Sequence, residues 1–197
     1  MKRFLLLFLA TVVTAWSASA QLSVSQLRTE HLTDPVGIGE RRPLLSWEVS
    51  DASRRGVTQS AYEIRVKSGG RTVWRTGKVA SAESAGVFYD GTPLTSDTRY
   101  TWQVRVWDDR GKASAWSRPA FWRTGLFDVG EWQARWIEPA VSDDLAAMFR
   151  RTFRVTKPVA EATVYVTAHG IYEASVNGHR VSDDLLTPGW TAYKKRL

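Results

Sequence analysis

Three acidic doublets, Asp108-Asp109, Asp143-Asp144 and Asp183-Asp184, hold the carboxylates in this chain that could pair as general acid and base. Neighbouring residues on an extended strand point to opposite faces, so no such doublet makes an acid/base pair by itself. Aspartate also bonds its own backbone in turns, and each doublet reads as turn chemistry or a solvated loop. His31, His169 and His179 stand at no metal-ligand spacing, and no cysteine is present to assist them, so no metal site is assigned. Oxygen ligands for calcium come readily from Asp and Asn loops, which makes Asn177, Asp183 and Asp184 the residues to test for a calcium ion. No catalytic residue is assigned, and no cofactor beyond that calcium.

The ten tryptophans are the other chemical feature. Trp47, Trp102 and Trp122 sit at inward positions of apolar alternation and belong to a core, while Trp74, Trp107 and Trp190 are the positions for exposed rings. Trp190 follows Pro188-Gly189 in a loop and is the best single candidate for a contact outside the core, although packing against a neighbouring domain is the stronger reading.

These side chains ride on strands. From Leu44 to Ser50, Leu45, Trp47 and Val49 alternate with Ser46, Glu48 and Ser50, the period of two of a half-buried strand. Tyr62, Ile64 and Val66 alternate in the same way with Glu63, Arg65 and Lys67. Tyr100, Trp102, Val104 and Val106 alternate with Thr101, Gln103 and Arg105. Turn clusters separate the runs at Lys67-Ser-Gly-Gly70, Asp90-Gly-Thr-Pro93 and Asp108-Asp-Arg-Gly111, leaving no room for a crossover helix. The fold class is therefore all-β, a sandwich. Leu94-Thr-Ser-Asp-Thr-Arg-Tyr100 resembles a fibronectin type III tyrosine corner, and Trp47 and Trp116-Ser117 complete that likeness for a domain spanning 22–125.

A tryptophan-rich linker, 126–141, follows, in which Trp132 and Trp136 are expected to bury between two domains. A second β-sandwich, jelly-roll-like and incomplete, is expected over 142–197, with strands at Met148–Val155, Thr163–Ala168 and Ile171–Val176. Asn177-Gly178 after the last of these is a strong hairpin signal, because both central positions of a type I′ turn need positive φ. A strand begins again at Tyr193–Leu197, and unpaired edges there lead to the expectation that the chain is a piece of a longer polypeptide.

The first twenty residues, with Lys2-Arg3, the apolar run Phe4–Val13 and Ala18-Ser19-Ala20, read as a secretory signal peptide, 1–20, cleaved to leave Gln21 first. The run is too short for a transmembrane helix, so the mature protein is expected in the periplasm or outside the cell, with no membrane anchor. Losing Lys2 and Arg3 lowers the net charge from +7 to +5, and the remaining basic residues, such as Arg65, Lys67 and Arg105, alternate along strands as solvated faces do. No nucleic-acid partner is expected.

The run His169-Gly-Ile-Tyr-Glu-Ala-Ser-Val-Asn-Gly-His-Arg-Val-Ser-Asp-Asp-Leu-Leu-Thr-Pro-Gly-Trp-Thr-Ala-Tyr-Lys-Lys-Arg196 resembles the N-terminal β-sandwich of bacterial α-L-rhamnosidases of glycoside hydrolase family seventy-eight. Trp116-Ser-Arg-Pro-Ala-Phe-Trp-Arg-Thr-Gly125, with Trp132 and Trp136, is similar to the same family's leading fibronectin-like domain. The resemblance implies inverting hydrolysis of terminal α-L-rhamnose by an (α/α)6 barrel that follows these β-domains, with two carboxyls roughly 6.5 to 9.5 Å apart. No residue here corresponds to that barrel, so this chain alone is expected to be inactive. Its partners would be rhamnose-containing glycans and its own C-terminal domains, with Trp190, Asn177, Asp183 and Asp184 as carbohydrate-contact candidates. The alternative reading is a free-standing exported carbohydrate-binding or structural β-module.

Overall fold

The computed structural model describes residues 22–52, 54–140 and 146–189, so the signal peptide, the doublet Asp143-Asp144, Trp190 and the strand expected at 193–197 lie outside the described residues. The chain divides into two units, Met1–Trp136 and Ile137–Leu197.

Unit 1 is built from β1 (Ser23–Thr29), β2 (Val36–Ile38), β3 (Leu44–Ser50), β4 (Gln59–Ser68), β5 (Arg71–Arg75), β6 (Val87–Phe88), β7 (Arg99–Asp108) and β8 (Ala120–Thr124). Strands β1, β3 and β6 form one sheet in the order β1-β3-β6, and the others form a second in the order β2-β8-β7-β4-β5. Every pairing is antiparallel except β2 with β8. The alternation read from sequence locates β3, β4 and β7, and their apolar parity builds the core. Leu45 and Trp47 from one sheet meet Tyr62, Ile64, Val66, Trp102, Val104, Val106 and Trp122 from the other in one buried cluster.

Aromatic rings organise that cluster. Trp122 stacks on Tyr100 with centroids 5.3 Å apart and planes 16° apart, and meets the ring of Tyr89 edge-on at 5.8 Å. Trp47 packs edge-on against Tyr62 at 5.3 Å, and its Nε1 donates to Gln59 Oε1 at 3.0 Å. Trp102 Nε1 and Trp122 Nε1, by contrast, have no hydrogen-bond partner among the described residues. Of these three buried indoles, Trp47 alone has its N–H bonded among the described residues.

The tyrosine corner is present. Tyr100 Oη accepts the backbone N–H of Thr95 at 3.0 Å, closing the loop that carries the chain into β7. Tyr100→Phe should remove that bond while leaving the stack on Trp122 in place, lowering stability by about 1 kcal/mol. Chemical denaturation should show a lower midpoint with an unchanged slope; an unchanged midpoint would mean that the ring alone fixes the corner.

The segment after β7 stitches itself to that strand through serine hydroxyls. Ser114 Oγ accepts the N–H of Val106 at 3.0 Å and Ser117 Oγ accepts that of Val104 at 3.1 Å. Trp116 is thereby laid across the outer side of the sheet. Beyond β8, residues Val129–Glu131 make one 3-10 turn, in which Glu131 Oε2 accepts from Ser96 Oγ and from the backbone N–H groups of Phe127 and Asp128. Trp132 and Trp136, expected to be buried, are 37% and 57% exposed.

In unit 2 the expected hairpin forms. β9 (Ser175–Val176) pairs antiparallel with β10 (His179–Arg180), and Asn177 and Gly178 hold φ of 53° and 82° between them, as a type I′ turn requires. The strands expected at 148–155 and 163–168 do not form, and the third is reduced to its last two residues. Periodicity reports which face is apolar and not which segment supplies the ladder; among the described residues of this unit, β9 and β10 alone find each other. Phe149, Phe153 and Val155 are accordingly exposed.

Candidate functional site

Among the described residues singled out for chemistry, Asp184 lines a recess. That recess, about 80 Å3, is bounded by Tyr172, Glu173, Arg180, Ser182 and Thr187 as well. Ligand pockets run to about 300–1,000 Å3, so this hollow does not enclose a sugar. Asp184 is occupied locally, with its Oδ2 accepting from Ser182 Oγ at 2.6 Å and its backbone N–H donating to the same hydroxyl at 3.0 Å. Asp183 is exposed, and Asn177 is spent in the hairpin turn. Among the described residues, no three His, Asp or Glu side chains lie close enough to hold a metal ion.

The doublet Asp108-Asp109 is a turn, as its residue types suggested. Asp108 Oδ1 accepts the N–H groups of Arg110 and Lys112 at 3.0 and 2.7 Å, and Oδ2 receives Arg54 Nη2 at 2.7 Å. The bond from the Lys112 backbone above all, with that from Arg110 and the Arg54 guanidinium, holds the carboxyl below its ordinary value against the opposing effect of burial. Glu131 is lowered chiefly by the Ser96 hydroxyl, with help from the amides of its own turn.

The third displaced carboxyl is one that sequence reading placed on a wet face. Glu63, on the outer side of β4, is 2% exposed. Burial opposes its ionisation, but Arg75 Nε at 2.6 Å and Arg105 Nε at 2.7 Å outweigh that and pull its pKa down. A glycosidase general acid needs a carboxyl pushed upward so that it stays protonated near neutrality. Glu63, Asp108 and Glu131 are all displaced the other way, so each is a fixed anion holding structure together.

Around Glu63 the outer face of the five-stranded sheet carries a stack of cations and rings. Lys78 Nζ and the Arg105 guanidinium lie 4.9 and 5.0 Å from the Trp107 ring centroid, and Arg105 and Arg65 lie 4.9 and 4.2 Å from that of Trp116. Arg65 and Arg105 are therefore half-buried members of a ladder and not freely solvated strand positions. The signal in the sequence was the shared parity of Glu63, Arg65 and Arg105 on two strands, which becomes a contact only once Glu63 is paired with Arg105. Trp107, expected to be exposed, is partly covered by this ladder, and Trp74 is partly buried edge-on to Tyr89 at 5.1 Å.

Residues 24–128, more than half of the chain, match the family described as Rha78A-like, N-terminal immunoglobulin domain, and residues 157–197 match the α-L-rhamnosidase N-terminal domain. An α-L-rhamnosidase of Formosa agariphila is 32% identical over 186 residues, an alignment covering 86% of this chain and 20% of that protein. One from Streptomyces avermitilis is 37% identical over 190 residues, covering 82% and 18%. Among solved structures, the S. avermitilis α-L-rhamnosidase complexed with L-rhamnose superposes with a TM-score of 0.58 and 43% identity over 61% of this chain and 12% of that one. The enzyme from Aspergillus terreus gives 0.63 and 28% over 90% and 21%. The chain spans about a fifth of the length of the relatives it matches. With a two-sheet unit over the first match, the unit that carries the β9-β10 hairpin over the second, and the two matches in that order, the chain belongs to the Rha78A-like N-terminal immunoglobulin domain family and is an N-terminal region of the α-L-rhamnosidase kind.

Proposed function

We propose that this chain is the exported, non-catalytic N-terminal part of an α-L-rhamnosidase that releases terminal α-L-rhamnose from glycosides or polysaccharides. The observation that carries this reading is the order of the two family matches, 24–128 and then 157–197, in a chain whose relatives are some five times as long. Hydrolysis, with inversion, is the work of a helical barrel beyond these units, where one carboxyl protonates the leaving oxygen and another activates water. The basic, apolar and small-residue pattern of residues 1–20 supports export to the periplasm or outside the cell.

The test is to read the encoding DNA past Leu197, express the whole open frame, and assay it and the 197-residue chain on an aryl α-L-rhamnoside. The full frame should release the aryl alcohol and the chain alone should not. A frame that stops at Leu197, with a product that binds rhamnose without cleaving it, would overturn the enzymatic reading and leave a carbohydrate-binding module. Edman sequencing of the exported protein should begin at Gln21; a retained leader would overturn the export reading.

A further inference from the structure

We propose that the outer face of the five-stranded sheet β2-β8-β7-β4-β5 is a docking surface for an acidic polysaccharide, one bearing repeated carboxylate or sulfate groups. The cations are dispersed in sequence but adjacent in space. Strand alternation puts Arg65 and Lys67 of β4, Arg99 and Arg105 of β7, and Arg123 of β8 on one side, because the residues between them fill the core. Cross-strand register brings them together, with Arg65 opposite Arg75, Arg99 opposite Arg123, and Lys67 opposite Thr101. Arg75 joins them through Glu63. Among the described residues, Glu63 and Asp97 are the carboxylates that pair with members of this set, at 2.6 Å to Arg75 and 2.7 Å to Arg123. The face is left strongly positive.

The arginines are also held in place. Arg99 lies 3.6 Å from the Phe121 ring centroid, and Arg65 lies over Trp116 while its Nε and Nη2 donate to Gln103 Oε1. Stacking itself uses none of a guanidinium's N–H groups; Arg65 spends Nε–H and one Nη2–H on Gln103 and keeps the rest of its fork for a planar oxyanion. Such preorganisation lowers the entropic penalty of ligand binding. The charges run from Arg105 to Arg99, six residues or about 20 Å along β7 at ~3.3 Å per residue. A row of that length fits a chain of repeating anions better than a single small anion. That the polyanion is a polysaccharide and not a nucleic acid rests on the proposed function.

The probes are polygalacturonate for carboxylate and dextran sulfate for sulfate, with unmodified dextran and duplex DNA for comparison, each cast into native gels through which the 197-residue chain is run. The chain should be retarded by one or both acidic polysaccharides and pass freely through dextran. R65Q/K67Q/R99Q should weaken that retardation about tenfold, and added salt should abolish it. R28Q/R41Q/R42Q, which removes equal charge from around the other sheet, should change it less than about twofold. Lys67→Gln alone, at an exposed position, guards against misfolding of the triple variant and should weaken binding about twofold. No retardation, equal loss in both triple variants, or tighter binding to DNA would each overturn the proposal. None of these outcomes touches rhamnoside hydrolysis by the full-length enzyme, so failure of the surface and failure of the enzymatic reading remain distinguishable.

Discussion

Trp122→Ala should destabilise unit 1 by about 3–5 kcal/mol and lower its melting temperature by roughly 15 °C. The indole is fully buried on β8, stacked on Tyr100 and edge-on to Tyr89. Truncation removes its transfer free energy, opens a cavity that a sheet-borne neighbourhood cannot collapse into, and breaks two aromatic contacts at once. One effect runs the other way, since Trp122 Nε1 lacks a partner among the described residues and its removal relieves an unsatisfied donor. Trp122→Phe separates the two contributions: it keeps a ring against Tyr100, discards the orphan N–H, and should stay within about 1 kcal/mol of the parent. A small effect for the alanine variant would mean that Tyr100 and Tyr89 close over the gap. Thermal unfolding followed by near-ultraviolet circular dichroism reads both substitutions directly. The consequence extends beyond unit 1's own core. β8 pairs with the short edge strand β2, and Gly125 N–H bonds Ile38 O at 2.9 Å just where the chain leaves the sheet, so loosening Trp122 loosens the exit toward the second unit's sequence.

The sandwich was legible because its long strands carry their apolar parity openly. Trp47, Ile64, Trp102 and Val104 each sit where period two puts them, and the tyrosine corner is a local motif whose donor, Thr95, lies five residues from its acceptor. The edge strands were harder to read. β2 and β6 have three and two residues, too few to show a period, and β1 is broken by a register shift between Ser25 and Arg28. Unit 2 misled for the complementary reason. Met148–Val155 alternates well, but a strand is defined by its hydrogen-bonded neighbour, and sequence spacing carries no information on where a non-local neighbour comes from. The Asn177-Gly178 hairpin needs only partners three and five residues away, and it formed as expected.

Candidate sites followed the same division between local and non-local information. Asp108 was readable as a turn because its backbone donors, Arg110 and Lys112, are two and four residues on. Glu63 was not, because its partners lie 12 and 42 residues away on other strands. The basic residues likewise read as scattered along the chain, while the sheet gathers them. Charge on a β-protein has to be summed by face, and faces appear only when the register is known.

Glu63→Ala should cost about 2 kcal/mol, less than the ~3–5 kcal/mol typical of breaking a fully buried ion pair. The discount follows from the partners. The side chains of Arg75 and Arg105 are 60% and 31% exposed, so water can take over much of their solvation once the carboxylate is gone. What it cannot restore is the position of Arg105 between Trp107 and Trp116, whose rings lie 5.0 and 4.9 Å from it. The same carboxylate sets a pH dependence. Its folded pKa is depressed below the unfolded value, so its contribution is fully present above the unfolded pKa and is lost as pH falls through the folded one. Stability of the parent should therefore fall on acidification from neutrality, through and below the ordinary carboxylate range, and Glu63→Ala should fall less steeply there because one of the titrating groups is missing. Urea midpoints measured across that range for both proteins decide the matter. Parallel curves would mean that Glu63 titrates as it does in the unfolded chain and that Asp108 and Glu131, also depressed, carry the acid response. Convergence of the two curves at low pH would locate the response in the Arg75-Glu63-Arg105 cluster, the same cluster that holds the cationic face in register.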